Sequence, residues 1–265
     1  MNNPKKYLFN SLAIALLITA VSCVTSDHED MAPTAKSIPS EEISGMMGLM
    51  EEVDLMVMSA MQQNLSQQRL VPLLDELSCP GTIITRDDKK GEIKIDFGNG
   101  CVSNRGMEKQ GNLTIYYSGG FLSKGSQLTI DFENFSLNGH QMQGQRKLEN
   151  LGYDPIKKSL RFSSVMNDFK LVNLEGQAFN LNQNYIRDLE ISTDSDGFRI
   201  YLQGSGSLST ENYITAKFEI VRPLKYMQEC IESGIADPIE GSLEISSGTE
   251  YSTILNFESD GCSSI

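Results

Sequence analysis

From Thr82 to Phe257 the apolar residues of this chain recur at every second position, a spacing that puts one apolar face on a strand and none on a helix. Ile93, Ile95 and Phe97 alternate with Lys94 and Asp96; Leu113, Ile115 and Tyr117 with Thr114 and Tyr116; Leu128, Ile130 and Phe132 with Thr129 and Asp131. Leu160 and Phe162, Leu189 and Ile191, then Phe198, Ile200 and Leu202 continue the series, followed by Ile214 to Ile220 and by Leu243, Ile245, Leu255 and Phe257. Turn sequences separate these runs, among them Ser118-Gly119-Gly120, Asn138-Gly139 and Asp194-Ser195-Asp196-Gly197. The intervals leave little room for crossover helices, so neighbours in the chain are expected to pair antiparallel. The expectation is a mainly β body, a large antiparallel meander that is too wide to lie flat and curls as a barrel, half-barrel or sandwich.

Cysteines bracket the first and last of these hairpins. Cys79 and Cys101 flank the runs Thr82 to Thr85 and Glu92 to Phe97, with polar Arg86 to Gly91 between them. Cys230 lies upstream of Gly241 to Ile245 and Ser252 to Phe257, and Gly261-Cys262 follows. Gly81 to Phe97 and Gly241 to Phe257 each span 16 positions, and Asp96-Phe97 and Gly100-Cys101 answer Asn256-Phe257 and Gly261-Cys262. The echo has two readings, a duplicated unit or the shared grammar of hairpins with glycine turns. Four cysteines allow three connectivities; the bracketing points to Cys79 with Cys101 and Cys230 with Cys262. A metal site is the competing use, but Cys-x-x-Cys spacing is absent.

Ahead of the strands, Ile43, Met46, Met50, Val53, Val57 and Ala60 recur at helical spacing. Ser40 is an N-cap residue with Glu41 and Glu42 behind it, which predicts a helix over Glu41 to Leu65. It is the one candidate lid for the sheet. Six of the 12 methionines lie between Met46 and Met61. Such a helix either fills core or lines an adaptable apolar pocket through Met46, Met50, Val53 and Val57.

The chain opens with Lys5 and Lys6, an apolar run from Leu8 to Val21, then Ser22-Cys23. The run is short for a membrane span and reads as a secretory signal. Ala20-Val21-Ser22-Cys23 resembles the lipobox of bacterial lipoproteins, in which Cys23 would be the lipidated first residue; Ala20 stands where that family has a larger aliphatic side chain, and the same residues read as an ordinary small-residue cleavage site. Lipidation of Cys23 leaves an even set of four thiols, which suits an oxidising compartment. Asp27-His28-Glu29-Asp30 resembles the surface-export signal of Bacteroidota-type lipoproteins. The expected division is a signal peptide over 1–22, an acidic flexible tether over 23–40, a helical segment over 41–78 packing on the sheet, and an antiparallel β domain over 79–265 with disulfide-bracketed hairpins at 79–101 and 230–262.

Setting aside Lys5 and Lys6 leaves 20 basic against 35 acidic side chains, a net charge near −15. No basic stripe exists to neutralise phosphates, so nucleic acid is not an expected partner. A membrane would be reached through a lipid on Cys23 and not by charge. His28 and His140 are the only histidines; the first falls in the tether and the second in an Asn-Gly-His turn. Neither offers a hydrolase triad, and Gly204-Ser205-Gly206-Ser207 lies in a strand context instead of a nucleophile elbow. Two facing carboxylates would serve a glycosidase, yet nothing selects a pair among 35 acids. Asp194 to Gly197 is a tight turn that lacks the ligand spacing of a calcium loop. No catalytic residue, metal ligand or cofactor is expected.

The pattern as a whole is similar to uncharacterised Bacteroidota-type surface lipoproteins whose hairpins end in an Asp-Phe/Tyr-Gly-x-Gly-Cys run, here Asp96-Phe97-Gly98-Asn99-Gly100-Cys101. That resemblance rests on the leader and this run; it implies a location and no activity. The expected function is an exported, lipid-anchored, non-enzymatic binding or structural protein of the bacterial outer membrane or cell surface, with a periplasmic or secreted location as the alternative. Two other classes stand beside it. One is a carrier of apolar cargo with the curved sheet as cup and the Met-rich helix as lid, loosely similar to half-barrel carriers of lipoproteins. The other is a carbohydrate-binding surface protein, which without Trp would rely on Tyr116, Tyr117, Tyr185, Tyr201 or Tyr213.

Overall fold

Alternating strands and one apolar helix leave a single economical arrangement, in which the sheet turns its oily face toward the helix. The computed structural model describes residues 36–62, 79–191, 197–211, 213–233, 237–248, 251–259 and 261–262. In chain order the elements are β1 (Lys36–Ser37), α1 (Ser40–Gln62), β2 (Ile83–Asp87), β3 (Glu92–Asp96), β4 (Cys101–Val102), β5 (Glu108–Ser118), β6 (Gln127–Leu137) and β7 (His140–Gln143). There follow β8 (Gln145–Asp154), β9 (Ser159–Val172), β10 (Ala178–Ile191), β11 (Phe198–Ser209), β12 (Tyr213–Ile214), β13 (Ala216–Met227), α2 (Gln228–Glu232), β14 (Glu240–Ser247) and β15 (Tyr251–Glu258). All strands except β1 and β12 join one 13-stranded sheet in the order β15-β14-β13-β11-β10-β9-β7-β6-β5-β3-β2, with β4 on β5 and β8 between β6 and β9. Every pairing in it is antiparallel. The mainly β meander is therefore present as the alternation requires.

The sheet curls around α1. Lys109 of β5 reaches Glu52 of the helix, while Leu224, Tyr226, Leu243 and Phe257 of β13, β14 and β15 line a crevice with Ser44, Met47 and Gly48 of the same helix. Strands far apart in the sheet thus flank one cylinder. Every residue from Met50 to Gln62 is buried, so α1 forms the centre of the core. Among the described residues β2 and β15 do not pair with each other, and the curl is open.

Long strands wrap a helix only if they bend, and a line of irregularities crosses the sheet for that purpose. Register shifts fall between Gln110 and Asn112 of β5, Leu181 and Gln183 of β10, Leu202 and Ser205 of β11, and Ile220, Arg222 and Lys225 of β13. Asn134 of β6 and Asp168 of β9 adopt positive φ on the same line. Gly111 and Gly204 cannot be replaced there, since an added Cβ would lie 2.1 Å from the Asn134 carbonyl oxygen and 2.2 Å from that of Asn184. Pro223 has no N–H to give a ladder. It is accommodated in β13 where the register is already interrupted on both sides.

The tether expected over 23–40 ends earlier than that reading. Lys36 and Ser37 pair in parallel with Tyr213 and Ile214, and Ile38 is buried; a two-residue strand is too short for any periodicity to reveal. Helix α1 has Glu41 and Glu42 in its first turn as expected. Its predicted continuation beyond Gln62, the rest of the 41–78 segment and the leader lie outside the described residues.

Disulfides join Cys79 to Cys101 and Cys230 to Cys262, with Cα atoms 5.8 and 4.9 Å apart. Each staples an edge: β2 and β3 form one margin of the sheet, β14 and β15 the other. Closing loops of 22 and 32 residues stabilises by roughly 3–4 kcal/mol each in the chain-entropy model. The two hairpins are not superposable residue by residue. Four residues separate Asp87 from its partner Glu92, whereas three separate Ser247 from Tyr251.

Candidate functional site

Glu51, Glu52 and Asp54 lie in the fully buried stretch of α1, where a carboxylate needs a counter-charge to remain ionised. The sheet supplies four. Arg187 of β10 donates through Nη2 to both Glu51 oxygens at 2.8 and 2.7 Å and to Asp54 Oδ2 at 2.5 Å. Arg146 of β8 donates from Nη2 to Asp54 Oδ2 at 2.6 Å, with its Nε 2.5 Å from Oδ1 and its Nη1 3.1 Å from Met166 Sδ. Glu52 accepts from Arg105, in the turn before β5, and lies 3.4 Å from Lys109 Nζ. All the acids come from the helix and all the bases from the sheet or its loops.

Burial sets the proton affinities here. It pushes Glu51 above the ordinary carboxylate value, and Asp54 adds to that rise while Arg187 opposes it. Burial would lower Arg187, but Glu51 and Asp54 outweigh it and the guanidinium is held above its usual value. Lys109 is pushed down to about 8 by burial, with Glu52 opposing. The Tyr185 and Tyr226 hydroxyls rise well above their normal value, chiefly through burial and then through the Glu51 charge. A buried ion cluster of this kind adds little net stability over an apolar contact of the same shape, whereas breaking one member is costly. What the cluster does is fix how α1 is rotated and how deep it sits. The paired side chains are at most 5% exposed and lie enclosed between α1 and the sheet.

The outer face carries a second charged cluster, and this one borders solvent. Asp188 follows Arg187 in β10 and so points the other way. Its side chain is 3% exposed, with Lys157 Nζ 3.1 Å from Oδ2 and Arg161 Nε 2.8 Å from Oδ1. Arg161 and Tyr201 stand directly opposite Asp188 on β9 and β11, and Lys225 and Glu240 continue the row on β13 and β14. Lys225 pairs with Glu240 and Arg199 with Glu190, each at 3.5 Å. Partial burial raises the Tyr201 hydroxyl, and the charge of Glu190, to which it hydrogen-bonds, raises it further. Over this row lies a groove of about 290 Å³, to which Tyr201 and Pro223 bring apolar surface and Lys157, Ser159, Asp188, Glu190 and Gln203 bring polar groups.

The candidate pocket residues Met46, Met50, Val53 and Val57 are all buried in the core around α1; Met46 also borders a concavity of about 320 Å³ with Glu42, Leu49 and His140. Of the five tyrosines considered as sugar platforms, Tyr185 is enclosed in the core and Tyr117 is engaged by Asp88 and Arg86. Tyr213 packs partly against the core, Tyr116 stands exposed, and Tyr201 alone of the five lines the groove. His140 opens β7 with Nδ1 3.2 Å from the Asn138 carbonyl. Glu229 approaches Cys230 and Cys262, but both sulfurs are committed to a disulfide. Cys23, His28 and most of the Asp194 to Gly197 turn lie outside the described residues. Compared with protein-family models, curated proteins and solved structures, the chain matches none.

Proposed function

We propose that this protein is an exported, lipid-anchored, non-enzymatic binding protein of the bacterial outer membrane or cell surface, and that it meets its ligand on the outer face of its sheet. The observation that carries this reading is the occupation of the inner face by α1. Ten large apolar side chains of the helix are buried, from Ile43 to Met61. At about 1.5–3 kcal/mol each, withdrawing them costs roughly 15–30 kcal/mol before any ion pair is broken. Micromolar to nanomolar binding supplies only about 8–12 kcal/mol, so an ordinary ligand does not hold α1 out of the cup. That weighs against the helix as a removable lid over apolar cargo.

Two intact disulfides fit an oxidising compartment. Among the described residues no helix is long and apolar enough to cross a membrane, and the proposed anchor is the lipid on Cys23. The test is growth of the native host, or of a lipoprotein-competent bacterium, with an alkyne-tagged fatty acid. The wild-type chain takes up the tag and sediments with outer membranes, while Cys23→Ser loses both properties. A Cys23→Ser chain that still carries the tag ends the anchoring proposal.

A further inference from the structure

We propose that the outer-face groove above Asp188 is a binding site for a neutral saccharide ring, an assignment that rests on reading the outer face as the binding face. The groove combines the two surfaces a sugar presents. Tyr201 and Pro223 offer apolar ring surface for the C–H face of a pyranose. Asp188, Glu190, Gln203 and Ser159 offer acceptors and donors for hydroxyl groups.

The site is built and not incidental. Asp188 is held at the floor by Lys157 and Arg161, so its carboxylate is fixed in direction before anything binds. Ser159 is 1% exposed, lines the groove, and its Oγ has no hydrogen-bond partner. A buried hydroxyl in that condition is a group awaiting a partner. The register break that admits Pro223 also brings its ring beside the Tyr201 row.

Charge balance selects the ligand class. Lys157 and Arg161 pair with Asp188 and also act on the neighbouring Asp154 carboxylate, Arg199 pairs with Glu190, and Lys225 pairs with Glu240, four bases against four acids. A free anion or cation would therefore break an existing pair to bind, whereas a neutral polyol adds hydrogen bonds to groups already charged. About 290 Å³ is room for one or two sugar rings. The larger concavity of about 540 Å³ at the crease has Gln110, Glu133, Asn134, Gln143 and Lys170 in its lining, all of them exposed, and it lacks a buried charged group.

The experiment uses the full chain in detergent, titrated by saturation-transfer NMR with glucose, galactose, mannose, xylose, maltose and cellobiose, and with glucuronate and glucosamine as charged counterparts. A neutral sugar is expected to bind, Tyr201→Ala to weaken it about tenfold, and Tyr116→Ala on the same face to leave it unchanged. Matching thermal melts for both variants show that the fold is intact. Gln203→Ala gives a second reading with little risk to folding. No neutral sugar binding up to about 10 mM, binding by charged sugars only, or binding indifferent to Tyr201→Ala and Gln203→Ala overturns the site. A wild-type chain that takes up no lipid tag yet binds sugar would end the anchoring proposal alone. An outer-face protein partner found in place of any sugar would leave the binding-protein reading standing and remove this one.

Discussion

Arg187 and Asp188 are consecutive in β10, and both side chains are almost inaccessible, yet they belong to different chemistries. Arg187 faces inward to Glu51 and Asp54 on a helix 133–136 residues earlier in the chain. Asp188 faces outward to Lys157 and Arg161, whose side chains are 49% and 36% exposed. The inner partners have nowhere to turn if a charge is lost; the outer ones can rotate into water. The same distance between opposite charges therefore carries a different energy on the two faces, because the dielectric and the alternatives differ.

The sharpest test of that contrast is Arg187→Met. Leaving Glu51 and Asp54 short of their counter-charge should cost about 3–5 kcal/mol, read as a drop in urea midpoint with little change in slope. Replacing the group together, as Arg187→Met, Arg146→Met, Glu51→Leu and Asp54→Leu, should recover most of that loss, since the burden lies in the unpaired charge. A quadruple variant as weak as the sum of its parts would mean that the ion pairs themselves hold α1.

Alkaline pH gives the next largest effect. In the folded protein Lys109 loses its proton near 8, with Glu52 and Arg105 beside it, while in the unfolded chain the value is 10.5. Between those values the unfolded chain binds more protons, so stability should rise with pH, by at most about 3 kcal/mol. Above about pH 10 the trend reverses, because Tyr185 and Tyr226 keep their protons in the fold and lose them first when unfolded. Thermal melts from pH 7 to 11 should show the maximum, and Lys109→Met should flatten the rising limb.

The smallest effect belongs to the outer face. Asp188→Asn should cost only about 1 kcal/mol, because Lys157 and Arg161 regain solvent. Chemical denaturation of this variant beside Arg187→Met measures the contrast directly; equal losses would erase it.

The sheet and the disulfide pairing were legible because half-buried strands impose alternation and because cysteines bracketed the outermost hairpins. The interior cluster was not. On a helix with apolar residues at 43, 46, 50, 53 and 57, the acids at 51, 52 and 54 read as a wet face, and only a sheet that closes around the helix makes that face internal. A trace did exist in the strands. The inward positions of β8 are Arg146, Leu148 and Asn150, and those of β10 include Gln183, Tyr185 and Arg187, which is polar for a core-facing row. Two such rows plus an acidic apolar helix imply one another, but neither implies it alone. The groove above Asp188 depends on the exact register of β9, β10, β11 and β13 and on where it breaks beside Pro223, and alternation fixes neither.

Helix α1 precedes every strand of the sheet, so it is synthesised before the walls that will enclose it. Glu51 and Asp54 then wait for Arg146 and Arg187, 92 to 136 residues later, and until those arrive a ten-side-chain apolar surface has no permanent shelter. Such long-range closure makes for slow folding: the half-made chain has its centrepiece delivered ahead of its container.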